Sequence, residues 1–272
     1  MPETPRTQPG PPRVARLVGG FAAGAGVGLL GGMIGLGGAE FRLPLLIGVF
    51  AFAALQAVIV NKALSLVVVA SALPARLAAV PFDDVAAHWT VIANLLGGSV
   101  VGAWVGATWA TRMRSATLYR VLAGLLVLIA AALAANHLGA VPATHLDPVP
   151  RTAAGLVAGV GIGMVAALMG VAGGELLIPT IVLLFAVDIK LAGSLSLAVS
   201  LPTMLVAFAR YSRDASFTVL AANARFVTVM AAGSVTGALT GGLLLGVVPA
   251  AVLVPLLVAL LLASAVKIWG HR

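Results

Sequence analysis

A chain of 272 residues that is 61% hydrophobic and only 9% charged, with mean hydropathy +1.13, has too few polar side chains to cover a water-facing surface. A soluble globule is excluded, and so is an outer-membrane barrel, because the apolar runs are unbroken over about twenty residues rather than alternating over about ten. Sixteen basic residues against eight acidic ones belong, in a membrane chain, to cytoplasmic loops rather than to a nucleic-acid partner.

The polar, Pro-rich stretch 1–15 reads as a disordered cytoplasmic leader. Apolar run length then predicts membrane segments at 16–38, 43–60, 62–80, 89–110 and 117–137, a connecting loop over 139–151, and further segments at 152–173, 176–187, 191–209, 226–246 and 249–268. The second segment of each half is the ambiguous one. The run 176–187 ends at Asp188 and Lys190 after twelve apolar residues, short enough for a half-helix or re-entrant piece.

The two halves share one design. Slid by 135 residues without a gap, 24–44 and 159–179 are identical at seven of twenty-one positions: Gly24/Gly159, Gly26/Gly161, Gly28/Gly163, Gly35/Gly170, Gly38/Gly173, Glu40/Glu175 and Pro44/Pro179. The same offset matches Ser65 with Ser200, and GSVVGAWVGA (98–107) with GSVTGALTGG (233–242). The expected fold class is therefore all-α, a polytopic membrane protein with transmembrane repeats over 16–138 and 152–272.

Loop charges point to inverted insertion of the halves. Arg6, Arg13 and Arg16 precede the first half, while only Arg151 precedes the second. Arg112, Arg114 and Arg120 flank the loop before the fifth segment, while its counterpart over 246–253 has no basic residue. Basic residues share one side only if the halves insert oppositely, which an odd number of segments per half produces, with both termini cytoplasmic.

GVGLLG (26–31) spells a dinucleotide-binding string, but it lies inside an apolar helix with no preceding strand, so close helix packing is the better reading. GLGGAEFRLP (35–44) and GVAGGELLIP (170–179) differ from it. Glycines, an acid and a proline together should unwind the chain at membrane depth, which is tolerated only where the backbone is buried in protein or lines a cavity. Pro44 and Pro179 are placed to open the following helices in their first turns, aiming free N–H groups and positive dipole ends at each break. Paired breaks of this kind suit a small anion bound near the midplane.

These motifs, with AVIVNKALS (57–65), PFDD (81–84) and the two GSV segments, resemble the TauE/SafE family of sulfite exporters and toluene-sulfonate permeases over almost the whole chain after the leader. The resemblance implies transport of a small sulfur-containing or carboxylated organic anion driven by an ion gradient. Ala39 and Ala172 each replace one glycine of the motif, and Glu40 and Glu175 stand where an apolar residue is common.

The expected substrate shell comprises Gly35, Gly37, Gly38, Ala39, Arg42, Asn61, Lys62 and Ser65 from the first half with Gly170, Gly173, Gly174, Ser194, Ser196 and Ser200 from the second. Hydroxyls, an amide and an ammonium at a helix start can receive an anion. They can equally serve interhelical hydrogen bonds, and Lys62 can snorkel. Arg42 either binds a sulfonate or carboxylate or neutralises Glu40. Glu40 and Glu175 are the candidates for proton or ion coupling, since an acid at bilayer centre costs roughly 2.5–3.5 kcal/mol on insertion scales.

His88, His137, His145 and His271 lack metal-ligand spacing, and no catalytic constellation is recognisable. The reading has no cofactor, no metal and no enzyme. A passive anion channel is the nearer competitor, and a membrane-embedded enzyme would need catalytic groups converging at one interface. The expected partners are the anion, the bilayer and a coupling proton or other ion.

Overall fold

The computed structural model describes residues 13–34, 38–137, 147–244 and 250–270; nearly all of the leader, Gly35, Gly37 and most of the 139–151 connection lie outside them. The chain forms α1 (Arg13–Ile34), α2 (Ala39–Gly48), α3 (Ala54–Ala79), α4 (Phe82–Ala87), α5 (Trp89–Arg112), α6 (Ser115–His137), α7 (Pro148–Met169), α8 (Gly174–Phe185), α9 (Ile189–Tyr211), a 3-10 turn (Ala215–Thr218), α10 (Val219–Ala222), α11 (Ala224–Leu243) and α12 (Ala250–Trp269). The fold is all-α, and seven of these helices are long and apolar enough to cross a membrane.

The predicted division between the second and third segments, at 60–62, is corrected. α2 ends at Gly48, a turn follows, and α3 runs unbroken from Ala54 through Asn61 and Lys62. Run length missed the turn because Val49–Ala53 is itself apolar. With ten and twelve residues, α2 and α8 are about 15 and 18 Å long, too short for a core of about 30 Å, so both are half-helices. α8 is capped by Ala186 (φ 55°) and the turn after α2 holds Ala51 (φ 58°), two alanines with positive φ at positions related by the 135-residue offset.

Packing between the halves is reciprocal. α1, the first helix of one half, lies along α11 of the other, and α7 lies along α5. A methyl group at Gly24, Gly28 or Gly32 would strike carbonyls of α11, and one at Gly233, Gly237 or Gly241 would strike carbonyls of α1. Gly98, Gly102 and Gly106 stand in the same relation to α7, and Gly159 and Gly163 to α5. Small residues thus let paired backbones touch, which replaces the hydrophobic drive that lipid cannot supply. Gly24 and Gly28, which flank the start of the GVGLLG string, serve this contact.

The helix ends form two faces. On one, Arg16 of α1 reaches Asn223 before α11 and Lys267 of α12 packs on Gly48 at the end of α2, while Arg210 of α9 donates to Thr108 near the end of α5. That face carries Arg16, Arg112, Arg114, Arg120, Arg210, Arg213, Arg225 and Lys267 against Asp214. The opposite face, where Asn94 of α5 donates to the Thr152 carbonyl of α7, carries Asp83, Asp84, Asp147 and Asp188 with Arg151 and Lys190. Trp89 and Trp269 sit at helix ends, and Trp109 lies near one; Trp104, inside α5, stacks under Arg213 at 5.4 Å.

Candidate functional site

The two breaks meet. Gly38 (φ 70°) and Gly173 (φ 86°) occupy the left-handed conformation immediately before α2 and α8, a geometry that any β-carbon would strain. Each half-helix then presents a glutamate in its first turn, and the carboxyls of Glu40 and Glu175 face each other within hydrogen-bonding contact. Acids suit helix N-termini. A cavity of about 10 Å³, roughly one water in size, lies beside the pair between Ile129 and Leu133 of α6 and Leu261 of α12.

Pro44 and Pro179 are the sixth residues of their helices, a correction to the first-turn placement. The left-handed glycines start α2 and α8 earlier than the prolines would. As a result neither proline can donate to the carbonyl four residues back, that of Glu40 or Glu175, which goes without its helical partner.

The end of α7 is bound by side chains of α3. Gly170 (φ 70°) closes it in a Schellman motif, with Val171 N–H donating to Ala166 O at 3.0 Å and Gly170 N–H to Ala167 O at 3.1 Å. Lys62 Nζ donates to Ala166 O (2.9 Å) and Val171 O (2.6 Å), and Ser65 Oγ to Gly170 O (3.2 Å). The Asn61 amide donates to Met169 O (3.0 Å) and also to Ala39 O (2.9 Å), tying the second break to the start of the first half-helix. A cation at a helix C-terminus also complements the dipole. In this conformation Asn61, Lys62 and Ser65 therefore bind backbone.

Arg42 behaves differently. Its side chain is fully buried, and its three guanidinium nitrogens have no hydrogen-bond partner among the described residues. It lies close enough to Glu40 to feel its charge, but the two form no ion pair there. In the second half, Ser194 Oγ is buried without a hydrogen-bond partner among the described residues, Ser196 Oγ donates to Gly193 O of its own helix (2.9 Å), and Ser200 is buried. Gly174 opens α8, while Gly35 and Gly37 lie outside the described residues.

Two features escaped sequence reasoning. Tyr211 Oη donates to Ala167 O (2.9 Å), adding a donor from α9 to the end of α7, and Ser99 pairs with Thr203 at 2.7 Å between α5 and α9. Tyr211 stands next to Arg210 at a segment end, where it reads as an interfacial residue.

Half-helices whose N-termini meet inside an apolar helical bundle define a multi-pass membrane protein with a buried polar centre. The sequence matches the family described as sulfite exporter TauE/SafE over residues 20–268, and the chain belongs to that family of membrane transporters. No curated protein and no solved structure matches it.

Proposed function

We propose that this protein is a secondary transporter that moves a small organic or sulfur-containing anion, such as sulfite, a sulfonate or a small carboxylate, across the inner membrane by alternating access. The observation that carries the reading is Arg42. A fully buried guanidinium with no partner among the described residues is costly to hold, and a bidentate anion would supply its missing acceptors. It stands in the first turns of α2, where free N–H groups also favour negative charge. Asn61, Lys62 and Ser65 hold the breaks together and become available to the substrate when the breaks separate.

Glu40 and Glu175 are the coupling pair in this scheme. Two carboxyls in contact cannot both be ionised cheaply, so a shared proton offsets their repulsion and ties proton traffic to the site. The predominantly basic face supports a cytoplasmic position for both termini, and the reciprocal packing of α1 with α11 and α7 with α5 supports an inverted repeat.

The test is uptake into proteoliposomes of sulfite, two-carbon sulfonates and small carboxylates at two pH values, with and without a proton gradient. Uphill movement of at least one of them is expected, which a passive channel would not give. Absence of movement for all three classes would remove the assignment.

A further inference from the structure

The 135-residue offset pairs one place on the basic face with one on the opposite face, and the two are built differently. On the basic face Arg16 lies over the rings of Phe52 (5.5 Å) and Phe226 (5.3 Å) and reaches Asn223 Oδ1 at 3.5 Å. Phe50 packs edge-on against Phe226 with centroids 4.8 Å apart, and Phe52 and Phe226 are both buried. That place is full. At the equivalent positions the other half has Arg151, Val187, Val91 and Phe185. Two phenylalanines have become valines, and a cavity of about 570 Å³ stands there between α5, α7 and the turn after α8. Among the described residues the Arg151 side chain makes no hydrogen bond, ion pair or ring contact. Asp188 also lines the cavity, but its carboxylate accepts from Lys190 N–H (2.9 Å) as the cap of α9.

We propose that this cavity is the docking vestibule for the transported anion, with Arg151 receiving the acidic group and the wall of Trp89, Phe185 and Leu191 receiving an apolar body, while the Arg16 cluster shuts the equivalent place on the basic face. The assignment rests on the transporter reading above and narrows it. Sulfite would leave most of about 570 Å³ empty, whereas an aryl or alkyl sulfonate fits the usual size of small-molecule sites, about 300–1,000 Å³. Val91 and Val187 line the hollow at the positions where Phe226 and Phe52 fill its counterpart, so the difference between the faces is written in the sequence. α8 runs from the central break to this cavity, so the vestibule and the Glu40–Glu175 contact lie at the two ends of one half-helix of about 18 Å.

The chain has no cysteine, so a single one can be placed as a reporter. Ala93 lines the cavity, and its repeat equivalent Thr228 is exposed on the basic side. In phosphatidylcholine nanodiscs, Ala93→Cys should favour an anionic sulfonatoethyl thiosulfonate over its cationic trimethylammonium analogue, relative to free cysteine, with Arg151 raising that rate ratio about fivefold against the opposing Asp188 carboxylate, as one positive charge ~8 Å away in water would give. Arg151→Gln should abolish that preference, and Arg151→Lys should keep it. Benzenesulfonate should slow labelling of the Ala93→Cys variant severalfold, and more than sulfite does, while leaving Thr228→Cys unaffected. The same rate ratio in Arg151→Gln, or an effect of benzenesulfonate at both sites or neither, would overturn the vestibule. Protection that appears only when phosphatidylglycerol is added would assign the cavity to a lipid headgroup instead, which also overturns it. Labelling as expected without proteoliposome uptake would refute the transporter reading and leave the binding site standing; uptake without the labelling pattern would do the reverse.

Discussion

α2 and α8 are built on one frame and carry different chemistry. Both start after a left-handed glycine, place a glutamate in the first turn and a proline at the sixth position, and are followed by an alanine with positive φ. Yet α2 buries Arg42 where α8 has Leu177, and α3 sends Asn61, Lys62 and Ser65 to the break before α8, where α9 has Ser196, Leu197 and Ser200. The frame is duplicated because each break needs the same backbone geometry. The cations Arg42 and Lys62 lie in one half only, because repeating both in the other half would double the desolvation cost for one anion.

The sharpest way to break the comparison is to make the halves alike. Arg42→Leu copies Leu177; anion binding measured by calorimetry should weaken about 10- to 100-fold, the value of a charge-assisted hydrogen bond. The same substitution should raise unfolding stability by about 1–4 kcal/mol, since it removes a buried cation that lacks a partner. A loss of both binding and stability would mean that Arg42 has a structural role.

Glu40→Gln and Glu175→Gln test the feature that the halves share. Either substitution removes one titratable group from the contact, so the ratio of transport rates at pH 5.5 and 7.5 should fall to about one, equally for the two variants if the pair acts as a unit. A preserved pH dependence in both would detach the pair from coupling.

Asn61→Ala should cost about 2 kcal/mol in a denaturant titration, because it unties two buried carbonyls in different halves. Ser196→Ala, which loses one bond within its own helix, should cost about 0.5 kcal/mol. Equal costs would remove the claim that the first half holds the second break.

The smallest effect should be the most symmetric. Ala51→Gly and Ala186→Gly each relieve a left-handed alanine and should each stabilise by about 1 kcal/mol, offset in part by glycine's greater freedom in the unfolded chain.

Much of this frame was legible because glycine, proline and acid recur at fixed offset, and a break that needs φ near +70° leaves a glycine behind. The turn at Val49–Ala53 was not legible, since Ala51 adopts a glycine-like conformation without glycine. Asn61 and Lys62 look like a helix start by polarity, but their partners are carbonyls distant in sequence, so they sit inside α3. The isolation of Arg42 was equally hidden: with Glu40 two residues away, pairing was as plausible as anion binding, and only the fold shows them apart.

The glycine rows that bring α1 against α11 and α5 against α7 have a consequence for how such a molecule can assemble. Each half keeps the best partner of its first helix in the other half, so neither forms a self-sufficient folding unit. Cut in the connection between α6 and α7, the two pieces would each expose a glycine-lined backbone stripe until they found one another.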